Sequence, residues 1–189
     1  MTMVYQDSRK QELIDGKVVM MAPMPVINHN FAAGNIHTIF NVYLKGKKCT
    51  AIADGSDVYL TKKNRVVPDV MIVCDRDKLR KDGVYGAPDL IVEVLSPSTA
   101  KRDKGFKKDL YEQCGVKEYW LVDPTSKSIE VHLLIDGKFK FDNIYSIYPD
   151  YMLKHMTDEE KAEIVMEFKT SLFDDLIISL DDVFDGLID

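Results

Sequence analysis

Glu93 stands inside the run Leu90-Ile91-Val92-Glu93-Val94-Leu95, where an ionised carboxylate is stripped of water. A charge so placed must be paired, protonated or bound to a cation. Side chains alternate along an extended chain, so Asp89, Ile91, Glu93 and Leu95 share one face. In an earlier extended run Val67, Asp69, Met71 and Val73 do the same. If the two strands are neighbours, Asp69 and Glu93 converge. Two carboxylates with a backbone carbonyl nearby make the all-oxygen environment that suits Mg2+ or Mn2+, and such a ligand set disfavours zinc. A buried ion pair between Glu93 and a lysine or arginine is the competing account of the same residue.

A helix rich in lysine follows. Asp103, Lys107 and Tyr111 are spaced by four and stack on one face, with Lys104 on its shoulder. A lysine there can reach the carboxylates, where its ammonium could orient a water or stabilise the charge that grows on a phosphoryl oxygen, while a metal activates the water. Lys101, Arg102 and Lys108 are read as a solvated helix face. His29, in register with the apolar stripe of the first helix, could stand behind the metal ligands or touch a phosphate; a core-edge histidine is the alternative. His37, His132 and His155 show no ligand spacing. Ser96 and Ser98 follow a strand without the Gly-x-Ser-x-Gly of a nucleophile turn, and helix capping explains them better.

The elements that must position these groups are legible in turn. Glu12 to Met21 reads as a hairpin around Asp15-Gly16, a pair that tolerates the positive φ angles of a tight turn. Pro23 and Pro25 break that run, and a helix is predicted from Asn28 to about Leu44, with Ala32, Ile36, Ile39, Phe40 and Tyr43 as its apolar stripe. Thr50 to Leu60 and Val66 to Cys74 read as strands joined by the polar turn 61–65, and a charged loop follows over 75–83. The aliphatic run 89–95 predicts a central strand buried on both faces. Ser96 to Thr99 offers N-cap oxygens to a helix reaching Cys114, with Phe106, Leu110 and Tyr111 inward and Gly115 as its stop. Glu118 to Asp123 is a strand, its Tyr119-Trp120 pair packing in the core, and Ile129 to Ile135 pairs with Lys138 to Ile144 across Asp136-Gly137. Thr157 to Glu160 forms a capping box ahead of a short helix. Residues 1–149 are expected to form the core, and 150–189 an acidic C-terminal appendage to the same domain.

The 189 residues, 46% hydrophobic and 30% charged, fit one globular domain. The start, Met1 to Asp7, has neither the basic nor the apolar character of a secretory signal, and no apolar run is long enough for a membrane span, so a cytoplasmic location is expected. Cys49, Cys74 and Cys114 lack Cys-x-x-Cys spacing and are expected to be reduced, mostly buried thiols. The net charge of −6 argues against an anionic partner, yet residues 150–189 hold 12 acidic and 3 basic residues, which leaves +3 for residues 1–149. Pro97 to Lys108 alone carries five basic residues against Asp103. A nucleic-acid face is therefore compatible with the composition.

Together these residues carry a resemblance. Val67-Pro68-Asp69, followed by Val92-Glu93-Val94-Leu95-Ser96-Pro97-Ser98, resembles the pattern of the PD-(D/E)XK nuclease superfamily, and more narrowly the Uma family of restriction endonucleases. Glu12 to Gly16, His29, Asp103 with Lys107 and Tyr111, and Gly115 to Pro124 belong to the same resemblance, which covers roughly residues 5 to 145. It implies a restriction-endonuclease-like α/β fold, a mixed β-sheet flanked by helices, with the short helical appendage beyond. It further implies Glu12, Asp69 and Glu93 around Mg2+ or Mn2+, the carbonyl of Val94 as another ligand, and Lys107 as the catalytic lysine. Leu95 stands where the superfamily usually has its lysine, so the role moves to the helix, to Lys107 or to Lys104 one turn away. The activity implied is metal-dependent hydrolysis of a phosphodiester in nucleic acid, DNA above all. Duplex cleavage by one small site would call for a homodimer. A silent nuclease-fold binding module and a hydrolase of a smaller phosphate ester are the rival readings.

Overall fold

In a computed structural model, residues 11–20, 26–53 and 55–188 are described. Strands β1 (Gln11–Ile14) and β2 (Lys17–Met20) form the expected hairpin, with Asp15 and Gly16 at φ 50° and 77°. Pro23 and Pro25 lie outside the described residues. Helix α1 (Ile27–Tyr43) buries Ala32, Ile36 and Phe40, one stripe at helical spacing.

The region after α1 departs from expectation in three places. Thr50 to Leu60 is two strands, β3 (Thr50–Ala53) and β4 (Val58–Thr61), because the chain turns at Gly55 with φ 105° and the halves enter different sheets. Val66 to Cys74 divides likewise into β5 (Asn64–Val66) and β6 (Val70–Val73). The charged loop is structured: a 3-10 turn over Arg76–Lys78 leads into the hairpin of β7 (Leu79–Arg80) and β8 (Gly83–Tyr85). Gly83, at φ 150°, lets the Asp57 carbonyl come so close that an added Cβ would sit 2.4 Å from it.

Strand β9 (Leu90–Val94) is buried throughout. The second helix, residues 100–114, runs through α2 (Ala100–Arg102), a π-helical turn (Asp103–Lys107) and α3 (Lys108–Cys114), and ends on Gly115 at φ 85°. No side-chain cap bonds its first turn; the Thr99 hydroxyl instead pairs with that of Ser96 at 3.1 Å. Strands β10 (Glu118–Asp123), β11 (Ser128–Ile135) and β12 (Lys138–Ser146) follow, the last two joined at Asp136-Gly137.

Two six-stranded sheets result. The order β12-β11-β10-β9-β6-β3 is mixed, since β9 and β10 are parallel and the other neighbours antiparallel. The second sheet, β2-β1-β5-β4-β8-β7, was not foreseen, being built of strands of two to four residues. One face of the first sheet carries Val70, Ile72, Leu90, Val92, Val94 and Trp120 in a core shared with α1. The other face carries Met71, Val73, Ile91, Leu95, Tyr119 and Leu121, covered by Leu110 and Tyr111 of the second helix and by Val58, Val66 and Val84 of the second sheet.

Residues 150–188 contain α4 (Asp150–Leu153), α5 (Asp158–Ala162) with the Thr157/Glu160 capping box, β13 (Glu167–Lys169), β14 (Ile177–Ser179) and α6 (Leu180–Val183). Phe168, Ile178, Leu180, Val183 and Phe184 join the α1 core. Buried Glu118 fastens this segment, accepting from Trp120 Nε1 at 2.6 Å, Thr170 Oγ1 at 2.9 Å and the Ser171 amide at 2.8 Å.

Cys49 and Cys74, expected as reduced thiols, are joined in a disulfide, while Cys114 is free. The β3–β6 register pairs Thr50 with Val73, so the two cysteines, 25 residues apart, fall opposite each other. Their spacing in the sequence carries no sign of that pairing. Among the described residues no helix is long and apolar enough to cross a membrane.

Candidate active site

The site is made where β1, the segment before β6, β9 and the second helix meet. Val70 pairs with Val92, so Asp69 and Glu93 stand next to each other at the following antiparallel step. Asp69 Oδ2 accepts the Val94 amide at 2.7 Å and lies 3.2 Å from His29 Nε2 of α1. Glu93 points to the face of the sheet covered by the helix, as strand parity requires. There its Oε1 meets Lys107 Nζ at 3.0 Å and the Tyr111 hydroxyl at 2.6 Å.

Glu12 arrives from the second sheet. Its carboxylate is fully buried; Oε1 accepts the Val67 amide at 3.1 Å and lies 2.9 Å from Lys107 Nζ. Asp103 adds a third carboxylate to Lys107, at 3.6 Å. Asp103 is itself anchored through its backbone carbonyl, which accepts the Tyr119 hydroxyl at 3.0 Å. Lys107 is 2% exposed, whereas Lys104 points to solvent. Of the two candidate lysines, Lys107 is therefore the one brought among the carboxylates.

Arg102, expected on a solvated face, is instead 21% exposed with its guanidinium 3.5 Å from Glu12 Oε2. The π-helical turn explains the difference. In an α-helix residues five apart lie about 140° from each other. A turn with i→i+5 bonding brings them toward one side, and such turns gather at functional sites. Arg102 and Lys107 thus approach the two oxygens of one carboxylate, which heptad or helical spacing could not reveal. Lys101 does lie in solvent, while Lys108 reaches His132 Nε2 at 3.1 Å, away from the site. His132 also contacts Glu130 at 2.5 Å and takes no part in the carboxylate cluster. Tyr119 and Trp120 are both fully buried, in keeping with core packing.

Three carboxylates, Glu12, Glu93 and Asp103, thus face two permanent cations, Lys107 and Arg102, while Asp69 is paired with His29. Burial pushes Glu93 well above the usual carboxylate range; Lys107 opposes this, and the charges of Asp103, Asp69 and Glu12 add to it. Asp103 is raised too, chiefly by burial. Burial alone would drive Lys107 down, but Glu93, Glu12 and Asp103 overcome it and hold the ammonium above its ordinary value. Tyr111 is raised by burial and by Glu93, so its hydroxyl remains a donor. The shifts agree in sense: the site is short of positive charge.

The donor set suits a hard divalent ion. All its carboxylate donors are oxygens, and Glu12 Oε2 and Asp103 Oδ1 are buried without a hydrogen bond among the described residues. In this conformation no three His, Cys, Asp or Glu side chains of the described residues are gathered at ligand distance. Lys107 lies between Glu12 and Glu93 and bridges them.

Comparison with known proteins bears on the same region. Residues 3–153 match the family model Uma2, described as "Putative restriction endonuclease". The chain is 32% identical over 125 residues to "Uncharacterized protein slr1290" of Synechocystis sp., a match spanning 65% of this chain and 65% of that relative's length. It is 26% identical over 129 residues to "Uncharacterized protein sll1609" of the same organism, covering 66% and 72% of the two. The fold is similar to that of a solved "putative nuclease belonging to DUF820" from Anabaena variabilis, with TM-score 0.67, 20% identity and coverage of 92% of this chain and 89% of that one.

Proposed function

The chain belongs to the Uma2 family, and from that membership we propose that it hydrolyses phosphodiester bonds in nucleic acid, DNA first, with Mg2+ or Mn2+ as cofactor. The observation that carries this reading is the buried cluster around Lys107, where three carboxylates, Glu12, Glu93 and Asp103, converge on two cations with Asp69 adjacent.

Asp69, Glu93 and Glu12, with the carbonyl of Val94, would hold the ion. When bound, it supplies a water of lowered pKa and a Lewis acid for a phosphoryl oxygen. The protein's own groups do the rest. Lys107, kept protonated by its carboxylates, presents a fixed positive charge to the oxyanion that grows as the phosphorus is attacked, and can orient the attacking water. Asp103 aims Lys107, Tyr111 fixes Glu93, and His29 steadies Asp69 from behind. Lys101 and Lys104, exposed on the second helix, meet the phosphate backbone without reading sequence. Duplex cleavage needs two such sites, which a homodimer in the cytoplasm would provide.

The test is incubation of plasmid and single-stranded DNA with the protein in Mg2+, in Mn2+ and in chelator, beside folded Asp69→Ala and Lys107→Ala variants. Metal-dependent cutting that both substitutions abolish is expected. Cutting lost only in Asp69→Ala moves the lysine role to Lys104. A folded protein that cuts nothing in any condition overturns DNA hydrolysis.

A further inference from the structure

Arg102 combines three properties. Its side chain is part-exposed, at 21%, while that of Lys107 is 2% exposed. Its ion pair among the described residues is loose, Nη1 to Glu12 Oε2 at 3.5 Å, where a well-made charge-assisted hydrogen bond closes to about 2.7–2.9 Å. And its Nε is buried with no hydrogen bond among the described residues, as is the Glu12 Oε2 that it faces. A guanidinium N–H and a carboxylate oxygen buried without a hydrogen bond are costly. A purely structural pair would close that gap.

We propose that Arg102 is the residue that grips the phosphate undergoing reaction, its Nε and Nη donors forking onto two phosphate oxygens at the mouth of the site. The guanidinium fork matches phosphate in just this two-point manner, whereas an ammonium is a point charge. The π-helical turn Asp103–Lys107 sets the division of labour, placing a fixed cation, Lys107, inside and an adjustable one, Arg102, at the opening. Gripping the phosphate satisfies Nε, and Arg102 moves off a carboxylate that Lys107 and the Val67 amide still hold. The assignment rests on the nuclease reading, because it takes that reading's substrate.

The experiment is fluorescence-anisotropy titration of labelled single-stranded and duplex DNA oligonucleotides, in Ca2+ so that binding is read without turnover, over a series of salt concentrations. The wild type is compared with Arg102→Gln, which keeps a donor toward Glu12, and with Arg102→Lys, which keeps the charge. Loss of one phosphate contact is expected to lower the slope of log K against log salt by about 0.7 on the single strand and about 0.9 on the duplex in Arg102→Gln. Arg102→Lys is expected to keep the slope and bind about tenfold more weakly, about 1.4 kcal/mol. A merely structural arginine would lower the melting temperature and leave the slope alone; an unchanged slope in folded Arg102→Gln overturns the proposal. If Arg102→Gln does not fold, Arg102→Lys decides, and wild-type affinity in that variant overturns it. A wild type that binds neither oligonucleotide overturns both this proposal and the nuclease reading, whereas a wild type that binds, with Arg102 indifferent, overturns this proposal alone.

Discussion

Replacing Lys107 with Met leaves the length and apolar stem of the side chain but removes the cation from Glu12, Glu93 and Asp103, which lie 2.9, 3.0 and 3.6 Å from Nζ. Taking one partner from a buried ion pair costs about 3–5 kcal/mol. For a chain of this size each kcal/mol moves the melting temperature by about 2–4 °C, so a fall of about 6–20 °C is expected by calorimetry. The loss should depend on pH in a definite direction. Glu93 has a folded pKa above its unfolded value of about 4.3, so its contribution is present below that pH and fades as pH rises through the folded pKa. Without Lys107 that rise is steeper, and the deficit should be larger at pH 8 than at pH 5. The opposite substitution, Glu93→Gln, removes a negative charge from a site that has too many and should cost less than Lys107→Met. Divalent ion at a hundred times its Kd should return about 2.7 kcal/mol to any variant that still binds it. A Lys107→Met protein melting within 2–4 °C of wild type, or one more stable than Glu93→Gln, would refute the account of a site short of positive charge.

Three further outcomes are expected elsewhere in the fold. Burial pushes Asp89 up, but the hydrogen bonds from Lys117 and the Cys74 amide, with the charges of Lys117 and Lys78, bring it below its ordinary value. Its stabilisation is therefore present above pH of about 4 and lost as pH falls through the folded pKa. Asp89→Asn should cost about 1–3 kcal/mol at neutral pH in chemical denaturation, and the difference from wild type should vanish in strong acid. Gly83→Ala should destabilise by about 1–3 kcal/mol, because the new Cβ meets the Asp57 carbonyl at 2.4 Å and φ is 150°; a wild-type denaturation midpoint would contradict it. Thiol titration of the unfolded chain without reductant should count one reactive thiol, Cys114, and reduction should lower stability by up to about 3.5 kcal/mol for a closed loop of this length; three thiols would refute the disulfide.

The parts of the site that the sequence discloses are those governed by local periodicity. Parity along the aliphatic strand places Glu93 on the same face as Ile91 and Leu95, and the i, i+4 spacing of Asp103, Lys107 and Tyr111 brings Lys107 and Tyr111 onto it with Asp103 behind Lys107. Asp15-Gly16 and Asp136-Gly137 mark their hairpins because few residue pairs accept two positive φ angles in succession. What stays hidden depends on tertiary registration. The second sheet is assembled from β1, β2, β4, β5, β7 and β8, each too short to show a period, and the turn at Gly55 that separates β3 from β4 lies within an apparently continuous run. Arg102 turns toward Glu12 through a π-helical turn, for which helical spacing gives no signal. The Cys49–Cys74 pairing likewise exists only through the β3–β6 register.

The clasp that Glu118 makes on Thr170 and Ser171 bears on how the chain can be born. Synthesis proceeds from the N-terminus, and the α1 face of the first sheet is covered partly by Phe168, Ile178, Leu180, Val183 and Phe184. Until those residues leave the ribosome, that apolar face is covered by α1 alone and the Glu118 carboxylate lacks the hydroxyls that satisfy it. Residues 150–188 therefore act as a latch on maturation: the nascent chain can assemble its carboxylate cluster early but cannot seal its core until they have emerged. A ribosome stalled before residue 168 would hold a substrate for chaperones rather than a small version of the protein.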